Sequence, residues 1–159
     1  MITTLGIPFS EFQEQATNLP NLVNFESKCF LIDHKYLPID QRFILELNTA
    51  TQHNQKQIQV KAQLIYNTYI NIPQFYFSLQ DCESSDYLPI HQYIQDETEQ
   101  QNFIKDINPA TGIAMITMHN CLLSEFIHFV SEGKTFLLTL ISYYFSKLHI
   151  YIKKSEYQE

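Results

Sequence analysis

The chain has no tryptophan, only three cysteines, and 10 lysines plus arginines against 17 aspartates plus glutamates in 159 residues. Cys29, Cys82 and Cys121 lie far apart and form no C-x-x-C pair, which excludes both a disulfide framework and a zinc knuckle and leaves reduced thiols as the expectation. A net charge of -7 without any lysine-arginine block excludes a surface that tracks nucleic-acid phosphates, because such surfaces draw their affinity from cationic neutralisation. A protein partner is expected instead. No apolar run reaches the roughly 20 residues that a membrane span needs, and the most apolar one, from Phe136 to Phe145, reads as a buried helix. The opening Met1-Ile2-Thr3-Thr4-Leu5 carries neither the charged nor the long apolar region of a secretory signal, so a cytoplasmic protein is expected. Internal repeats and low-complexity linkers are missing as well.

What is present suits one folded unit. Hydrophobic residues make up 45% of the chain and charged ones 17%, enough apolar material for a core of its own, and residues 1–159 read as a single domain. Near the start, Pro8, Phe9, Phe12, Ala16 and Leu19 recur at helical spacing, with Ser10 and Gln13 placed for a capping box and Asn18-Leu19-Pro20-Asn21 ending the helix. Cys29 to Leu37 and Arg42 to Leu47 are aromatic and β-branched enough for two strands, parted by Pro38-Ile39-Asp40. Asn48 to Gln55 reads as a polar loop.

The clearest alternation follows, with Ile58, Val60, Ala62, Leu64 and Tyr66 on one face and Gln57, Gln59, Lys61 and Gln63 on the other, a strand with one wet side. Pro73 breaks it, and Gln74 to Leu79 restarts as another strand. Asp81 to Asp86 is a polar turn, Pro89 opens a short helix to Ile94, and the acidic Asp96-Glu97-Thr98-Glu99 reads as a helix N-terminus or solvated face, with a docking patch for a partner as the alternative. Asn108 to Gly112 forms a turn before the apolar run Ile113 to Met118. Leu122 to Val130 and Thr135 to Phe145 read as two helices split at Gly133, and Leu148, Ile150 and Ile152 alternate as a last short strand. The order of elements implies an α+β domain, an antiparallel meander with helices segregated from it.

Chemistry concentrates at His119-Asn120-Cys121, which places a thiol just past a strand end. A thiol of reference pKa near 8.5 is only a few per cent thiolate at neutral pH, yet nucleophilic enough to take an acyl group from another thioester without a dedicated base. Cleaving an amide would ask for more, and no residue stands out to orient His119 as a general base. The Asn120 amide is placed to donate to an oxyanion or to serve as a turn residue. His119, Cys121 and His128 do not match metal-finger spacing and lack a fourth ligand, so neither metal nor cofactor is expected.

Two segments carry a family resemblance. Leu64 to Phe77, with Tyr66, Pro73 and the aromatic Phe75-Tyr76-Phe77, resembles the strand, turn and strand of autophagy E2-like conjugating enzymes. Ile116 to Cys121, followed by Leu122 to Phe126, resembles their His-Pro-Cys segment and the helix behind it, with Asn120 where the family usually has proline. The likeness is greatest to the autophagy-related protein ten family. It implies an E2-like fold of about four core antiparallel strands with extra edge pairing and helices packed against the sheet.

The resemblance also implies a reaction. Cys121 would take a ubiquitin-like modifier, autophagy-related protein twelve, from the autophagy E1-like activating enzyme as a thioester and pass it to a lysine of autophagy-related protein five. His119 and Asn120 would shape the loop or the oxyanion environment, and Tyr66 would orient the acceptor lysine or serve as a core or rim tyrosine. Recruitment to autophagosome assembly sites goes with this role. The alternatives are a non-catalytic E2-like module that binds a ubiquitin-like protein, kept open by Asn120, and a small cysteine hydrolase.

Overall fold

A computed structural model describes residues 6–119 and 136–152. Its centre is a six-stranded antiparallel sheet in the order β1-β2-β3-β4-β6-β5, built from β1 (Glu26–Leu31), β2 (Phe43–His53), β3 (Lys56–Asn67), β4 (Ile72–Asp81), β5 (Phe103–Ile107) and β6 (Ala114–Met118). The helices are α1 (Phe9–Asn18), α2 (Ile39–Arg42), α3 (Ile90–Tyr93), α4 (Glu97–Gln100) and α5 (Phe136–Lys147). The architecture is α+β, as the element order implied.

The inner face of the sheet holds the main core. Leu45 and Leu47 of β2, the alternating Ile58 to Tyr66 of β3, and Phe75, Phe77 and Leu79 of β4 pack against Phe12 and Ala16 of α1 and against the buried face of α5. Phe75 stacks on Tyr144 with ring centroids 4.8 Å apart and meets Phe145 edge-on at 5.7 Å, geometry that aromatic quadrupoles favour. The apolar run from Phe136 is thus a core helix, and no helix among the described residues is long and apolar enough to cross a membrane. Gln15, buried in α1, accepts the backbone N–H of Leu137 at 2.8 Å and so satisfies one orphan donor in the first turn of α5.

Several expectations need correction. The expected polar loop from Asn48 to Gln55 is mostly strand: β2 runs to His53 in register with β3, and only Asn54 and Gln55, at φ 50° and 65°, make the turn. Two consecutive positive-φ residues are what a tight two-residue hairpin demands, and ladder pairing overrides polar composition. Pro73 does not interrupt the sheet but sits second in β4 opposite Tyr66, the break falling in the turn at 68–71. No capping box forms, because Pro8 occupies the cap position and Ser10 already lies inside α1.

The first strand is Glu26–Leu31 rather than Cys29 to Leu37, and Ile39–Arg42 is a helical turn. The expected terminal strand is a helix stop: His149 takes a φ of 60° and Ile150 donates back to Phe145 O at 2.9 Å. Strand β5, not foreseen in the polar segment, forms one edge of the sheet. The acidic stretch before it behaves as a helix N-terminus, with Asp96 accepting from the backbone N–H groups of Thr98 at 2.8 Å and Glu99 at 3.2 Å. The second expected helix, Leu122 to Val130, and the stop at Gly133 lie outside the described residues.

Candidate active site

Strand β6 leads to the cysteine segment, so its anchoring decides where that segment leaves the sheet. β5 holds it along its length, from Phe103↔Met118 to Ile107↔Ala114, whereas β4 holds it only at Tyr76↔Thr117 and Phe77↔Ile116. Thr117, 1% exposed, donates its hydroxyl to Phe75 O at 2.6 Å and ties β6 to β4 at that short contact. One residue beyond the strand, the His119 N–H donates to Asn102 O at 2.7 Å, and the residue itself is exposed. The chain is therefore held to the sheet up to His119, two positions before Cys121. Asn120 and Cys121 lie outside the described residues, as does His128.

The other end of β6 is set by a buried polar relay on the outer face of the sheet. Asn108 is fully buried, and its Oδ1 accepts the backbone N–H of Ala110 at 2.9 Å and of Thr111 at 3.3 Å. Those two donors fix the orientation of the amide, so Nδ2 donates outward, to Gln63 Oε1 at 2.8 Å. Gln63 must then present its own Nε2 to an acceptor, and it finds Glu46 Oε1 at 3.0 Å, while Lys28 pairs with Glu46 Oε2 at 3.1 Å. Burial raises the Glu46 pKa, but the hydrogen bonds from Gln63 and Lys28 and the charges of Lys28 and Lys61 outweigh it and hold the carboxyl below its ordinary range.

With this turn folded back, Ile44, Ile65, Tyr76, Ala110 and Met115 form a second, smaller apolar cluster. The expected wet side of β3 is therefore wet only along Gln57, Gln59 and Lys61, and buried at Gln63 and Ile65. Burial, with Asp106 nearby, pushes the Tyr76 phenol up to about 12.

Tyr66 lies near the end of β3, on the other face of the sheet. It is 4% exposed, stacks on Phe12, and donates its hydroxyl to Ile7 O at 2.7 Å, with Asn71 Oδ1 3.1 Å away. Burial, then the charge of Asp40, raises its pKa. In this arrangement the hydroxyl is engaged within the chain, pinning the segment before α1 to the β3–β4 turn. Of the other thiols, Cys29 is half-buried with its pKa raised by burial, which disfavours the thiolate, and Cys82 is exposed in a turn.

Glu46, Gln63 and Asn108 were not foreseen as a set. Each reads singly as a surface or turn residue, and only the pairing Glu46↔Gln63 and the fold-back of the 108–112 turn bring them together. Residues 11–157 match the family described as autophagocytosis associated protein, active-site domain. No curated protein matches the chain.

Proposed function

The chain belongs to the autophagocytosis-associated active-site family, an E2-like enzyme of ubiquitin-like conjugation in autophagy, and from that membership we propose that Cys121 is its acyl carrier. The Cys121 thiolate attacks the thioester carbonyl by which the E1-like enzyme holds the modifier, and the E1 thiolate leaves. A deprotonated lysine amine of the acceptor then attacks the new thioester, Cys121 leaves as thiolate, and an isopeptide bond remains. Amine attack on a thioester is favourable in itself, so positioning and removal of the lysine proton are what the protein contributes.

The observation that carries this reading is the anchoring of β6. The strand is held by β5, by Thr117 and by the His119–Asn102 hydrogen bond up to two residues before the thiol, in a chain whose family match is to an active-site domain. Its end is held two residues before the thiol, which supports a reactive loop there. His119 and Asn120 shape that loop or the oxyanion environment in this proposal. The modifier is autophagy-related protein twelve and the acceptor autophagy-related protein five, as the resemblance at Leu64 to Phe77 and Ile116 to Phe126 implies.

The test is a charging assay with E1-like enzyme, ATP and modifier. Wild type is expected to form a reductant-sensitive adduct, and Cys121→Ser a reductant-stable ester or none. Absence of any adduct while the E1 itself charges would sink the enzyme reading and favour a non-catalytic module.

A further inference from the structure

Strands β4 and β6 pair at two positions and then separate, although both continue. Had the register run on, Ser78 would face Met115 and Leu79 would face Ala114. Between them instead is a slot of about 720 Å³, within the range of small-ligand and peptide side-chain pockets. The far half of β4 is already occupied, since Leu88 donates to Leu79 O at 2.8 Å and Asp81 to Asp86 O at 2.9 Å.

Among the described residues, no backbone group bonds to that stretch of β6 from the slot side. The bonds from His119 to Asn102 O and from Asn108 to Ile113 O fix the alternation of the β5–β6 ladder at both ends. That alternation aims the backbone groups of Ile116 at Phe77 and those of Ala114 into the slot.

The slot also has the wrong charge for its chain. The protein carries -7 overall, with 17 aspartates plus glutamates against 10 lysines plus arginines. Yet the slot is bordered by Lys61, Lys105 and His91, with no carboxylate among the described residues that line it. Its rim holds apolar side chains in water: Tyr87 at 70% exposure, Ile113 at 60% and Ile104 at 43%. Cations, an apolar trough and a strand edge with open backbone groups together select an extended acidic peptide with apolar anchors, which adds to the sheet as a strand would. A nucleic acid or an anionic membrane has no extended peptide backbone to pair with the strand edge.

We propose that the slot between β4 and β6 is a docking groove for an acidic, apolar-anchored segment of a partner protein. The proposal does not depend on Cys121 chemistry, because docking is read without conjugation. The probe is a dye-labelled peptide alternating glutamate with leucine and phenylalanine, followed by fluorescence polarisation and by amide NMR of the isotope-labelled full chain. Its controls are the same peptide with lysine for glutamate, and vesicles of anionic phospholipid.

The acidic peptide is expected to bind, to shift the amides of Leu79 and Ala114, and to weaken with added salt. Lys105→Glu combined with Lys61→Gln is expected to lower its affinity about fivefold without loss of fold, both side chains being exposed. No binding, equal binding of the lysine peptide, unchanged affinity in the double variant, shifts confined to another surface, or binding of the vesicles alone would each overturn the proposal.

Discussion

Asn108 donates its side-chain amide to Gln63 Oε1 at 2.8 Å across 45 residues of sequence, and both residues are buried. The bond joins the turn that starts β6 to the middle of β3. Its direction is forced at each step, because the backbone donors on Asn108 Oδ1 leave only Nδ2 to give and Gln63 passes the polarity on to Glu46. A relay of this kind is costly to interrupt, since each partner removed orphans the next.

Asn108→Ala is expected to lower stability by about 3 kcal/mol, leaving Gln63 Oε1 and two backbone N–H groups short of partners. The melting temperature should fall by about 10 °C. Asn108→Asp keeps the acceptor for Ala110 and Thr111 but presents an oxygen to Gln63 Oε1, so it should recover little. Thermal unfolding of both variants checks this, and a change below about 1 kcal/mol in the alanine variant would show that the turn is held by other means.

Glu46→Gln tests the charged end of the relay. The folded pKa of Glu46 lies below its ordinary 4.5, so its contribution is complete above 4.5 and is lost as the pH falls through the depressed folded value. Near neutrality the glutamine variant should be less stable by about 1 kcal/mol, the Lys28 side of the pair being exposed. In urea unfolding across acid pH the gap between the two proteins should narrow; a gap independent of pH would exclude the ionised pair as its source.

Tyr76 contributes on the alkaline side. Its phenol is pushed from 10 to about 12, so its stabilisation is complete below 10 and is lost as the pH rises through 12. Tyr76→Phe should match wild type near pH 8 and exceed it by about 1 kcal/mol near pH 11, where the unfolded phenol is ionised. Urea unfolding at the two pH values measures the difference.

The segment before α1 depends on Gly6 and Tyr66. Gly6 has a φ of 143°, and a Cβ there would run into the Asn71 backbone carbonyl, the group that accepts Ile7 N–H at 2.9 Å. Gly6→Ala should cost about 1 to 3 kcal/mol. Tyr66→Phe should cost about 1 kcal/mol through the lost bond to Ile7 O. Hydrogen exchange at the Ile7 amide should quicken in both, and an unchanged rate would mean that the segment is held elsewhere.

Period and apolar content made α1, β3, β4, β6 and α5 legible, since each shows its buried face in its own residues. Ile58 to Tyr66 alternates and Phe136 to Phe145 is apolar nearly throughout. The strand that ends three residues before Cys121 was legible too, because Ile113 to Met118 reads as that strand. The polar end of β2 and the edge strand β5 were not. Thr49 to His53 becomes strand by pairing with Lys56 to Val60, and Ile104 to Ile107 by pairing with β6, and neither partner can be read from the segment itself.

The sequence by itself determined the α+β class, the core-facing positions and the candidate nucleophile, all of which follow from local periodicity and side-chain chemistry. Only the tertiary structure decided which polar residues are buried and where the sheet opens. Lys28, Glu46, Gln63 and Asn108 become one relay, and β4 and β6 separate after two pairs, because strand register and the fold-back of a turn join residues that no local pattern relates.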